Sequence, residues 1–171
     1  MQNFRIRAAV MAAVAVAPLA ISIPAQSAPS DTAAAVTGWA QMYFPAPGND
    51  VEISVNAHAT FGPGEFPTNS WGTFRIYHRI DESGGETYVN WGDFAVDCVT
   101  VGGPTATVTG TLVRAAPGSP WQLGVRTGLS FYVDGAASRI GIAGMPTPPL
   151  SKCMAPAANA PLVLGGYQIR S

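Results

Sequence analysis

Val51-Glu52-Ile53-Ser54-Val55-Asn56-Ala57-His58-Ala59-Thr60-Phe61 is the stretch whose reading decides the fold. Every odd position is apolar and every even position is polar. Successive side chains of a β-strand point to opposite faces, so this period of two encodes one buried and one solvated face. The next run repeats the pattern. Phe74, Ile76, His78 and Ile80 share one face, and Thr73, Arg75, Tyr77 and Arg79 share the other. Gly62-Pro63-Gly64-Glu65-Phe66-Pro67 lies between the two runs and is expected to continue neither.

Outward from this pair the same grammar continues. Gly38-Trp39 falls on a first strand, and Asp81-Glu82-Ser83-Gly84-Gly85 reads as a turn. Glu86 to Trp91 reads as a short strand and Phe94 to Val101 as another, ended by Gly102-Gly103-Pro104. Thr105, Thr107, Thr109 and Thr111 then alternate with Ala106, Val108, Gly110 and Leu112, so the threonine row is expected to face solvent. Gln122 to Val133 alternates again. Asp134-Gly135 is a hairpin signal that leads to a short strand at Arg139 to Ile142. Met145 to Pro161 is Pro-rich and irregular. Leu162 to Arg170 closes the chain as a strand, with a bulge expected at Gly165-Gly166. The expected class is all-β: an antiparallel β-barrel or sandwich of eight to nine strands. Short connections between successive strands favour a barrel-like meander.

The first residues read differently. Arg5 and Arg7 precede a run of small and apolar residues from Ala8 to Ile23, and Ala25-Gln26-Ser27-Ala28 offers cleavage sites. Residues 1–28 are therefore expected to be a secretory signal peptide. Pro18 interrupts the apolar run, which falls short of the roughly 18–20 residues that span a bilayer. Residues 29–35 are expected to be a flexible lead-in and residues 36–171 a single β-domain. The expected address is secreted or extracytoplasmic, with no membrane span after signal cleavage. The whole chain carries a net charge of −1, which loss of Arg5 and Arg7 makes more negative. With no basic cluster, nucleic acid is not an expected partner. Lys152 is the only lysine, beside 19 Gly and 15 Pro, a bias of GC-rich bacterial genomes such as those of actinobacteria.

Two cysteines, Cys98 and Cys153, complete the inventory. In an exported chain an even count points to a disulfide, with two buried thiols as the alternative. Neither has a second Cys or a His at ligand spacing, so no metal is expected.

Phe94-Ala95-Val96-Asp97-Cys98-Val99-Thr100-Val101, Thr105-Ala106-Thr107-Val108-Thr109-Gly110, Leu129-Ser130-Phe131-Tyr132-Val133-Asp134-Gly135 and Leu164-Gly165-Gly166-Tyr167-Gln168-Ile169 follow one another in a distinctive order. That order resembles small exported bacterial β-rich proteins of the post-COAP-domain type. The resemblance covers about the last 80 residues and implies a fold but no catalytic residues.

No catalytic residue and no cofactor is expected. His58 and His78 are the two histidines; alternation puts His58 on a polar face and His78 on an apolar one. A loop centre near 65.5 would set position 58 opposite 73, leaving the two imidazoles too far apart to share a metal. The candidate ligand-contacting residues are His78, Tyr77, Trp39, Trp71, Trp91 and Trp121, because aromatics at the rims of a β-domain can grip an apolar ligand or stack on a sugar. The leading expectation is a non-catalytic exported β-domain that binds a small molecule, glycan or protein. One rival is an enzyme using His78 with Asp97, Tyr77 or Glu86, with Asp97 expected on the opposite side of its strand from Cys98. Another is a protease inhibitor presenting the loop at 143–161.

Overall fold

The computed structural model describes residues 32–82, 84–143 and 150–171. The region expected to be a signal peptide lies outside the described residues. The strands are β1 (Thr32–Met42), β2 (Asn49–Phe61), β3 (Pro67–Asp81), β4 (Thr87–Gly102), β5 (Thr105–Ala115), β6 (Arg126–Tyr132), β7 (Arg139–Ile142) and β8 (Ala160–Arg170). They form one antiparallel sheet in which each strand pairs with its chain neighbour and β8 returns to β1, closing a ring with the order of an up-and-down barrel. The 3₁₀ turn Gly135–Ala137 occupies the expected hairpin between β6 and β7.

The interior is built as the alternation requires. Val51, Ile53, Val55, Ala57 and Ala59 of β2 face inward with Phe74 and Ile76 of β3. Phe94, Val96 and Val99 of β4 meet Val108 and Leu112 of β5, and Leu129, Phe131, Ile140 and Tyr167 complete the wall. Phe74 and Phe94 stack with centroids 4.6 Å apart, and Phe131 meets Tyr167 edge to face at 4.8 Å. The interior is therefore packed rather than water-filled.

Several expectations need correction. β1 begins at Thr32, not after residue 35: Thr32 to Ala35 pair with Phe61 to His58. The small side chain of Ala34 is buried against the ring, so this segment is strand rather than lead-in. Pro67 starts β3 opposite Phe61, since a first strand residue needs no ladder N–H. The loop is tighter as a result, and His58 pairs with Trp71 instead of residue 73. The two short strands expected at 86–91 and 94–101 are one strand, β4, which makes eight strands among the described residues. Gly92 keeps it continuous: a Cβ there would lie 2.6 Å from Leu112 Cδ1 and 2.9 Å from the Trp121 ring. The chain at 122–125 is loop. The irregularity of β8 falls at Val163, between the partners of Gln41 and Met42, with Gly165 just beyond it at φ 79°.

A bulge between Val96 and Cys98 has the largest consequence. Strict alternation would turn Cys98 inward with Val96. The extra residue, Asp97, shifts the phase, so Cys98 pairs with Thr109 on the outer face while Val99 and Val108 face in. Cys98 thereby reaches Cys153, with Cα atoms 5.3 Å apart, in a disulfide. Asp97 is also on this side, accepting from Thr109 Oγ1 at 2.6 Å and from Arg126 Nε at 2.7 Å. The expected opposition of Asp97 and Cys98 does not hold.

The bridge ties down residues 150–158 as a strap over the outside of β5, β6 and β7. Ser130 Oγ donates to Pro156 O, Arg126 Nη1 to Leu150 O at 3.3 Å, and the Cys153 N–H to Thr109 Oγ1 at 3.2 Å. Gly128 leaves the room, since a Cβ there would sit 2.5 Å from Met154 O. Thr109 is therefore fully buried, and the threonine row is not a solvent-facing surface throughout.

Candidate functional site

The six aromatic and imidazole candidates fall in three places. His78 and Trp121 meet at one end of the ring, at the mouth where the β1–β2, β5–β6 and β7–β8 connections gather. Tyr77, Trp39 and Trp91 lie on the outer face of β3, β1 and β4, one strand position out of phase with His78. Trp71 stands apart, stacked on His58 at 5.6 Å nearer the opposite end.

The mouth is a cavity of about 340 Å³. Met42 and Phe44 leave the end of β1, Val51 and Ile76 rise from β2 and β3, and Ile142 and Ala143 close the β7 side. Trp121 comes from the long β5–β6 connection and is anchored by Phe94, with centroids 6.4 Å apart. His78 is the one ionisable side chain in the lining. Its ring lies 5.5 Å from Phe44, and its Nε2–H donates to Asn49 Oδ1 at 2.6 Å. That assignment leaves Nδ1 as an acceptor on the neutral ring. Burial among these apolar groups pushes the His78 pKa below the ordinary imidazole value of 6.5, so the ring is neutral at pH 7. Asn90 faces His78 across the β3–β4 ladder. It is buried, and its Oδ1 has no hydrogen-bond partner among the described residues. A buried carbonyl oxygen left in this state is costly unless water or a ligand reaches it.

The groups of the expected enzyme site are not brought together. His78 has an amide partner, while Asp97 is tied to Arg126 and Thr109 on the outer face. Tyr77 points outward from β3, and Glu86 sits in the β3–β4 turn. The described part of the 143–161 loop lies down on the sheet as the strap, where an inhibitory loop would project; residues 144–149 lie outside the described residues. Among the described residues no three His, Cys, Asp or Glu side chains gather as a metal would need.

On the outer face, Asp93 of β4 lies between Arg75 of β3 and Arg114 of β5. Arg75 donates from Nε at 2.5 Å and from Nη2 at 3.0 Å; Arg114 donates from Nε at 2.8 Å and Nη2 at 2.6 Å. The hydrogen bond from Arg75, joined by that from Arg114, holds the Asp93 carboxyl below the usual carboxylate range. Both guanidiniums also lie over the Trp91 ring, 4.9 and 5.6 Å from its centroid. Trp39 is 42 % exposed, with its indole N–H on Glu52 Oε2 at 3.1 Å.

The sequence pointed to His78 as a polar group in an apolar row. It missed Phe44, Asn49 and Asn90, which only the register brings to His78, and Arg75 and Arg114, which only Asp93 joins. No protein-family model matches the chain, and no curated protein and no solved structure matches it.

Proposed function

We propose that this is an exported, non-catalytic binding domain whose ligand enters the mouth: a small, mainly apolar molecule carrying one hydroxyl. The observation that carries this is a neutral imidazole with an acceptor nitrogen in a mainly apolar cavity of about 340 Å³, whose one other polar lining residue is Asn159. Apolar walls supply affinity, and one placed polar group supplies orientation. Asn90, the register partner of His78 on β4, adds a buried Oδ1 with no hydrogen-bond partner among the described residues. 1-Naphthol is a suitable probe, with naphthalene as the control lacking the hydroxyl. By calorimetry 1-naphthol is expected to bind about three- to tenfold more tightly, the worth of one net hydrogen bond. His78→Phe should erase the preference. The naphthol oxygen also accepts from a protonated Nδ1–H, so the preference should persist as pH falls through the depressed His78 pKa, with the direction of the hydrogen bond reversed. Equal affinity for both probes, or a preference that survives His78→Phe, contradicts the reading.

Export, bacterial origin and kinship with the post-COAP-type proteins belong to the same proposal. The disulfide supports an oxidising compartment, and among the described residues no helix is long and apolar enough to cross a membrane. N-terminal sequencing of the exported protein should find a first residue of Ala28 or Pro29. A chain that still begins at Met1 would count against a cleaved signal.

A further inference from the structure

We propose that the outer face of β1 to β5 carries a second binding site, separate from the mouth, that takes an uncharged, extended polysaccharide of the β-1,4-linked hexose kind. Register is the first reason. Trp39, Ser54, Arg75, Asp93 and Arg114 are successive partners across β1 to β5, so they form one outward row. Four strand spacings make that row about 19 Å long. Thr37, Asn56 and Thr73 form the next outward row, and their side chains are short. Long side chains beside short ones leave a trough that crosses the strands. A cleft of about 670 Å³, lined by Ser54, Asn56, Thr73, Arg75, Asp93 and Arg114, lies along it. A depression of about 240 Å³ shares Ser54 and Arg75 and carries it on to Trp39, Glu52 and Tyr77. A straight trough of this reach suits a ribbon-like chain better than a single sugar.

Charge balance is the second reason. Along the trough two guanidiniums, Arg75 and Arg114, are matched by two carboxylates, Asp93 and Glu52. No net charge is left to select an ion, yet donors and acceptors remain. Each guanidinium spends two of its five N–H groups on Asp93 and keeps three. Glu52 accepts the Trp39 indole N–H with one oxygen, which leaves it further acceptor capacity. Sugar hydroxyls both donate and accept, so they fit this mixture.

Exposed aromatic rings are the third reason. Trp39 is held by Glu52. Trp71, on the far side of the short row, is 44 % exposed and stacks on His58, whose Nε2–H donates to Asn56 Oδ1 at 2.8 Å. Both indoles are in place before a ligand arrives, so stacking costs little further ordering. An indole suits the C–H face of a hexose whose hydroxyls are equatorial. Val113 is the one exposed aliphatic side chain lining the cleft, too little for the apolar core of a protein interface. Beneath the trough β2 and β3 are paired on both sides, so no strand can be added there.

The test titrates the full disulfide-bonded protein, labelled with ¹⁵N-tryptophan, with cellohexaose; glucose and oligogalacturonate are the other arms. Cellohexaose is expected to bind with an affinity that salt leaves unchanged, glucose far more weakly, and oligogalacturonate no more tightly than cellohexaose. The Trp39 indole resonance should move while that of Trp121 stays. Trp39→Ala and Arg114→Gln should each weaken cellohexaose binding about tenfold. Arg114 has an exposed side chain, so its variant keeps the fold, which a urea midpoint verifies. Neither substitution should change 1-naphthol binding, so this proposal and the mouth reading stand or fall separately. No binding of cellohexaose, tighter binding of oligogalacturonate, a Trp39 resonance that stays in place, or a dimer by light scattering that Trp39→Ala dissolves would each overturn it.

Discussion

Removing the bridge with Cys98→Ala and Cys153→Ala is expected to cost about 4 kcal/mol of stability, the chain-entropy value for a loop of this size. The cysteines are 55 residues apart, so the bridge removes much freedom from the unfolded chain. The native side points the same way. The strap has no strand ladder to the sheet and rests on Ser130, Arg126 and Thr109. The ring is also thinnest beside it, because β7 and β8 pair through only Arg139–Pro161 and Ile140–Ala160. Freed strap residues should gain fast amide exchange ahead of the core strands. Urea unfolding with and without reductant reads the effect: reductant should lower the wild type to the double variant and leave the variant unmoved. A loss below about 1 kcal/mol would mean that the strap contributes little.

Phe94→Ala is expected to cost a further, independent 3–5 kcal/mol, roughly the range for emptying a fully buried aromatic site. Phe94 is completely buried, stacked on Phe74, and is the ring that anchors Trp121. The walls are β-strands held by ladders, so they cannot collapse into the void. Against a typical stability of about 5–15 kcal/mol this is a large fraction. The urea midpoint should fall with the m-value unchanged. Because Trp121 loses its support, 1-naphthol should also bind more weakly even where the variant is folded. A cost near that of a surface change would show that the interior is not packed as described.

Much of the architecture could be read from residue order, because burial on one face forces period-two alternation in β2, β3 and β5. The bulge at Asp97 could not. Alternation carries no mark of one extra residue, and that residue turned Cys98 outward and made a strap of the chain around Cys153. The continuity of β4 was hidden for a related reason: Gly92 looks like a strand breaker until Leu112 and Trp121 are seen to need its space. At the candidate site His78 stood out as a polar residue in an apolar row. Trp121 did not stand out as its neighbour, since a loop places it there. Arg75 and Arg114 are far apart in sequence and meet only through the registers on either side of Asp93.

The four tryptophans have four different sets of neighbours, which allows one decisive measurement. Trp121 lines the mouth, Trp39 is bonded to Glu52, Trp71 is stacked on His58, and Trp91 lies under two guanidiniums. Their indole N–H resonances can be followed in ¹⁵N-tryptophan-labelled protein during titration with 1-naphthol. If the mouth is the ligand site, the Trp121 resonance moves and saturates while those of Trp39, Trp71 and Trp91 stay in place. If Trp121 stays still while another indole moves, or if none moves as naphthol is added, the mouth is not the binding site.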